Sequence, residues 1–370
     1  MISSFVNNFV TVVMFGALLL LAFVKLANPL RINRKGNFFF GLLLVMWASF
    51  WLEEISALSG INMEEGSFSF ILRGLQIFTP LLLFLSIKFY SNPNYKFQQK
   101  DVKHLLIPIV FITLITVRWF SEAQNTVWGS VTTIIMLFQA LFYVILSFLK
   151  IRQHRKKLVR FASSIRGKDL NWLEYILILL LSISLIAMVF SILQQENPGL
   201  IMNSANLVVV IMVAYYSIRQ KEIYNIQEPQ KTQLNFLEEE EDDKSSKRKL
   251  LEDNELEELK EQLTSLMTKE APYLDSELNL VKLSEQMDLT PHQLSYTINT
   301  GFDQNFFQFV NQYRVEKAKE LLLDKSHNYT ILAIAFESGF NSKTSFNTTF
   351  KKMTGQTPTE FKKRQTLQRI

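Results

Sequence analysis

Cysteine is absent from this chain, which excludes disulfides and thiolate metal sites. Histidine is scarce, and His104, His154, His292 and His327 show none of the helical pairing that metal ligands need. The apolar part holds neither a His-Glu-x-x-His motif nor a Gly-x-Ser pattern, so a membrane protease is not expected. Its last apolar span lacks lysine, which argues against a retinal Schiff base. The expectation is a protein with no enzymatic activity, no cofactor and no metal. Basic residues are missing ahead of the first apolar run, so that run reads as a membrane span and not as a cleaved signal peptide.

Apolar residues are plentiful: 48% of the 370 residues are hydrophobic. They are unevenly placed, and three regions follow: 1–217 almost continuously apolar, 218–250 densely charged, and 251–370 with the composition of a soluble domain. Within the first, stretches long enough for a hydrocarbon core of about 30 Å fall near 5–26, 37–58, 67–90, 103–120, 127–149, 171–193 and 199–217. The sixth is the clearest; the fourth and seventh are shorter and compatible with partly re-entrant segments. Pro80 and Pro108 are candidate kinks in the third and fourth. Trp119, Trp128 and Trp172 lie where interfacial rings tend to sit.

Loop charge orients these spans. Lys25, Arg31, Arg34 and Lys35 flank the first loop; Lys88, Lys96, Lys100 and Lys103 the third; Lys150, Arg152, Arg155, Lys156, Lys157, Arg160, Arg166 and Lys168 the fifth. The intervening loops hold Glu64, Glu65, Glu122 and Glu196 and no Lys or Arg. Under the positive-inside rule the odd loops face the cytoplasm. The N-terminus then lies outside and the C-terminal region inside a bacterial inner membrane. Glu53, Glu54, Arg73 and Arg118 fall at similar depth near the outer face, with Gln76 one turn below Arg73. Intramembrane charges are costly, so this group is a candidate site for a small ligand or membrane partner, against the plainer reading of a structural Glu–Arg pair.

The charged stretch includes Glu238-Glu-Glu-Glu-Asp-Asp243 followed by Lys244-Ser-Ser-Lys247-Arg248-Lys249. It reads as a solvated tether, or as an acidic decoy for a basic surface. Leu256, Leu259, Leu263 and Leu266 then predict the first core helix of the last domain, in preference to a dimer seam.

From Tyr273 onward, turn signals divide short helices. Val281–Met287, a turn at 288–290 and Pro291–Asn299 form one helix-turn-helix, with Thr290 as N-cap and Pro291 at the first helical position. A rod over 305–323, roughly 28 Å at the α-helical rise, leads to a second unit. It comprises Ile331–Glu337, the turn 338–340 and a reading helix over 342–353. Two reading heads on such a rod suit neighbouring major grooves about 34 Å apart. Lys343, Lys351, Lys352, Lys362, Lys363, Arg364 and Arg369 face the single acid Glu360, a cationic excess suited to phosphate. Phe340, Phe346 and Phe350 read as core.

The order Asn311-Gln-Tyr313-Arg314-Val315, Ala318, Leu321-Leu322, Ile334-Ala335, Gly339-Phe340-Asn341, Ser345-Phe346, Phe350-Lys351, Gly355 to Pro358 and Phe361 resembles the AraC/XylS transcription regulators over about 273–365. The resemblance implies binding of double-stranded DNA through both reading helices, usually as a homodimer, with RNA polymerase as a further candidate partner. Expected DNA contacts are His292, Gln293, Tyr296 and Asn299 in the first unit and Arg314 and Lys317 on the rod. In the second they are Asn341, Lys343, Thr344, Asn347, Lys351 and Lys352. Thr297 stands where relatives often carry a basic residue, so the second unit is expected to dominate affinity.

The expected fold is all-α, a seven-helix transmembrane bundle followed by a tandem helix-turn-helix domain. The expected function is a membrane-embedded one-component transcription regulator, an activator or a repressor, whose sequence-specific DNA binding is controlled by a cue sensed in the bundle. The alternative is a transporter or channel with a regulatory cytoplasmic domain.

Overall fold

The structure, a computed structural model, describes residues 2–29, 31, 33–61, 67–93, 95–120, 126–164, 170–192, 199–219, 252–324 and 329–367. Among these, every named element is helical. The Glu238–Lys249 charge run, His327, Arg166, Lys168, Glu64, Glu65, Glu122, Glu196 and Arg369 lie outside the described residues. The chain divides into two compact units: Met1–His154 with Asp169–Ile223, and Arg155–Lys168 with Tyr224–Ile370.

The first unit contains α1 (Ile2–Ala27), α2 (Arg34–Ala48), α3 (Leu52–Leu58), α4 (Ser67–Gln76), α5 (Thr79–Ser91), α6 (Leu106–Phe120), most of α7 (Thr126–Phe161), α8 (Asn171–Ile192) and α9 (Gly199–Arg219). Six stretches among the described residues are long and apolar enough to cross a membrane. The sixth apolar stretch of the sequence forms α8, 22 residues long.

The buried core joins Met14, Leu18 and Leu21 of α1 to Phe40 and Leu44 of α2 and Val209, Val210 and Val213 of α9. Outward-facing side chains are as greasy as the core: Phe5, Leu20, Phe23 and Phe120 are 72%, 66%, 68% and 78% exposed.

The second span is interrupted by a 3-10 turn at Ser49–Trp51, where the Ser49 hydroxyl donates to the Met46 carbonyl. The third breaks between α4 and α5, just before Pro80. Proline cannot supply the N–H that would continue the helix, and Gln139 donates to the Ile77 carbonyl at the break. Pro108 behaves differently: it lies in the first turn of α6, where its missing N–H costs nothing. The expected kink there is a helix start. The fifth span does not end near 149; α7 runs on to Phe161. Its basic tail is built of good helix formers with no Gly or Pro before Gly167.

The second unit contains α10 (Asp253–Lys269), α11 (Leu280–Glu285), α12 (Pro291–Gly301), α13 (Phe306–Leu323), α14 (Ile331–Glu337), α15 (Lys343–Thr354) and α16 (Pro358–Leu367). Helix α10 is a core helix, although its buried stripe is Leu259, Leu263 and Met267, a strict i, i+4 series that leaves Leu266 half-buried. Helix α13 serves two cores. Phe306, Phe309 and Val310 pack with Leu263, Leu280, Leu294 and Ile298, while Val315, Ala318 and Leu322 pack with Ile334, Phe340, Phe346, Phe350 and Phe361. One rod therefore carries both helix-turn-helix heads.

Candidate nucleic-acid interface

Each helix of the two heads starts on a side-chain cap that the sequence supplies. Asn279, Thr290, Asn305, Thr330 and Ser342 accept from the backbone N–H three residues on, satisfying donors that a helix start leaves unpaired. Helix α16 has the reciprocal arrangement: the Thr357 N–H donates to the Glu360 carboxylate at 2.7 Å. That bond holds the Glu360 pKa below the usual carboxylate range. The single acid among the C-terminal cations is thus a capping group.

The second reading helix, α15, buries Phe346, Thr349 and Phe350. Its opposite side exposes Lys343, Thr344, Thr348, Lys351 and Lys352, the spacing of one helical face. Sequence reasoning omitted Thr348, which the 3.6-residue period places one turn after Thr344. The last turn of the helix holds Lys351 and Lys352, and Lys363 and Arg364 are exposed on α16. A hydroxyl-bearing stripe bordered by cations can meet base edges and phosphates together.

Other expected contacts lie elsewhere. Arg314 is 1% exposed. Its Nε donates to the Tyr273 carbonyl at 2.7 Å and an Nη to the Asp275 carbonyl at 2.8 Å. Burial lowers its pKa to about 10, so it stays charged at neutral pH. Its donors are spent on buried carbonyls, so the side chain offers no exposed donor for the expected DNA contact. Lys317 is half-buried and paired with Glu320 at 3.0 Å, whose hydrogen bond raises its pKa. Asn341 is half-buried and donates to the Ser164 hydroxyl at 2.7 Å. The Oδ1 of Asn347 is a buried atom on an otherwise half-buried residue.

In the first head, α12 buries Leu294, Thr297 and Ile298. The position expected to be basic in relatives is therefore interior here, with the Thr297 hydroxyl donating to the Gln293 carbonyl. Asn299 is exposed, and His292 and Tyr296 are half-buried. The Gln293 Oε1 accepts from both the N–H and the hydroxyl of Thr290, closing a capping box. Gln293→Ala is accordingly expected to cost about 1 kcal/mol of stability and to leave base preference unchanged. Thermal unfolding set beside operator selection would check this, and an altered preference with unaltered stability would contradict it.

The five residues expected to form a sensing cluster take the following partners in the first unit. Glu54 turns to neutral donors: Asn7 Nδ2 at 3.2 Å and Thr11 Oγ1 at 3.1 Å. Asn203 bridges Asn7 and Thr11 and accepts from the Trp51 indole. Glu53 accepts from Ser69, Gln76 donates to Ser49, and Arg73 and Arg118 are exposed. Sequence spacing along single spans gives depth only; the Glu54 network draws its partners from α1 and α9, far away in the chain.

Residues 283–364 match the family described as helix-turn-helix domain. Uncharacterized HTH-type transcriptional regulators of Staphylococcus aureus, from strains COL and MSSA476, are each 35% identical over 91 residues, which cover 24% of this chain and 12% of the relative. The C-terminal domain of the two-component response regulator yesN from Fusobacterium nucleatum is 34% identical over 28% of this chain and 98% of that chain, with a TM-score of 0.26. The chain therefore spans only a small part of its longer relatives, and residues 283–364 are a helix-turn-helix domain of the AraC type.

Proposed function

We propose that this protein is a membrane-embedded one-component transcription regulator that binds double-stranded DNA through its two helix-turn-helix heads and carries out no catalysis. The observation that carries the reading is the exposed Lys343–Thr344–Thr348–Lys351–Lys352 face of α15, on a head packed against the rod that also holds α12. Membrane residence is supported by the six long apolar helices and by their exposed phenylalanines and leucines, since soluble surfaces rarely present such extensive apolar patches. The basic and acidic loop pattern supports a cytoplasmic C-terminal domain, where DNA lies. The Glu54–Asn7–Thr11–Asn203–Trp51 network is the candidate sensing element. A cue acts there only by binding two states of the bundle unequally. Homodimers on repeated half-sites and contact with RNA polymerase complete the proposal.

The test is a salt titration of duplex binding by the full chain in nanodiscs, using sites selected from random DNA. Affinity should fall steeply with salt. Lys343→Ala and Lys351→Ala should each flatten the log–log slope by about 0.9, one phosphate contact apiece. Salt-independent or absent binding would defeat this reading and favour a transporter with a regulatory domain.

A further inference from the structure

The chain leaves α7 at Phe161 and crosses the second unit as a short strap that the sequence does not foretell. Ala162, Ser163 and Ser164 are 3%, 1% and 6% exposed. Ala162 forms an isolated antiparallel bridge with Asn279, and both the N–H and the hydroxyl of Ser163 donate to the Leu278 carbonyl. The Ser163 carbonyl accepts from Asn311 Nδ2 at 3.0 Å and from an Arg314 Nη at 3.2 Å. Its hydroxyl also accepts from the other Arg314 Nη at 3.0 Å. Ser164 accepts from Asn341 at 2.7 Å. Phe161 packs on the first core beside Leu263 and Leu278.

These contacts reach three parts of the DNA-binding unit. Leu278 and Asn279 open the first head, Asn311 and Arg314 belong to the rod, and Asn341 precedes the reading helix of the second head. Four residues thereby tie both heads to the rod. The same four follow directly, along the chain, from a helix whose apolar stretch lies in the first unit.

We propose that residues 161–164 are an internal ligand of the DNA-binding unit, whose docking fixes the two heads in the spacing that grips a duplex, so that DNA affinity is set by the end of α7. Two heads held in register bind as one bivalent body and avoid the ordering cost that loosely coupled heads incur. The inference rests on the DNA-binding reading and adds its means of control.

The absence of native cysteine makes the test clean. Ser164→Cys with Asn341→Cys is introduced into the full chain in nanodiscs, with each single variant as control. Intramolecular cross-linking upon mild oxidation is read by mass spectrometry, and duplex binding is measured locked and reduced. Ser163→Leu, too large for its site, serves as the released form. The expected result is efficient cross-linking in the double variant, binding by the locked form within about threefold of wild type, and a loss of about tenfold or more in Ser163→Leu, the size of effect that lost bivalent coupling produces.

Absence of the cross-link would overturn the proposal. So would a locked form that no longer binds DNA, which would make docking inhibitory, or equal affinities in locked, reduced and Ser163→Leu proteins. Failure of wild type itself to bind DNA would defeat the DNA-binding reading and this control with it. The cross-link would then still report docking, so the two failures are distinguishable.

Discussion

Gly339→Ala is expected to destabilise the DNA-binding unit by about 3 kcal/mol or more, the sum of a left-handed backbone penalty and an overpacking penalty. Gly339 has φ +84°, and a Cβ there would sit 2.3 Å from the Tyr273 carbonyl oxygen, 2.9 Å from Leu274 Cα and 3.1 Å from Arg314 Nε. Two of these obstacles are backbone and cannot swing aside. In a domain of this size the loss corresponds to a fall of roughly 10–20 °C in melting temperature.

Gly355 supplies the control. It caps α15 with φ +79°, but nothing lies within 4 Å of a built Cβ. Gly355→Ala should therefore cost only the conformational term, about 1 kcal/mol. Thermal unfolding of the two variants side by side decides the matter. Equal losses would show that steric contact at the turn between α14 and α15 contributes nothing.

Arg314→Ala should be comparably damaging, and for a different reason. The guanidinium donates to the carbonyls of Tyr273, Asp275 and Ser163 and to the Ser163 hydroxyl, and lies 5.8 Å from the Phe340 ring centroid. Truncation takes the Arg314 donor from the Tyr273 carbonyl in a packed interior, at about 1–3 kcal/mol for an acceptor left unsatisfied, and opens a cavity besides; the Asp275 carbonyl keeps the Leu278 N–H and the Ser163 carbonyl keeps Asn311. A total on the order of 4 kcal/mol follows from these costs, allowing for partial relaxation. Arg314→Lys should rescue little, since one ammonium cannot reproduce a planar fork that reaches several carbonyls.

The companion measurement is the salt slope of DNA binding. A phosphate-contacting arginine would lower that slope by about one on removal and leave stability intact. A brace does the reverse. Arg314→Ala should lower the melting temperature and leave the slope of the remaining folded protein unchanged, opposite to Lys343→Ala. A flattened slope with an unchanged melting temperature would return Arg314 to the DNA surface.

Much of this fold is legible in local patterns, and what they leave open shares one cause. The caps at Thr290, Asn305 and Ser342 act between residues three apart, so helix starts were readable to within a residue or two. The alternation of Phe346 and Phe350 with Lys343, Lys351 and Lys352 separated the core from the exposed face of α15 in advance. Side chains able to serve either purpose take partners that the local pattern does not name. Gln293 closes a capping box, Arg314 braces carbonyls, and Glu54 finds Asn7 and Thr11 where arginine was expected. Nothing within a few residues of any of them names those partners.

The sequence alone determined that the chain joins apolar helices to a tandem helix-turn-helix domain, because span length, periodicity and capping are properties of neighbouring residues. Only the tertiary structure decided that Ser163 docks against Leu278 and Arg314, that one rod feeds two cores, and which polar groups are buried. Those outcomes depend on which distant donor and acceptor meet once water is excluded. A buried carbonyl must find a partner wherever the fold supplies one.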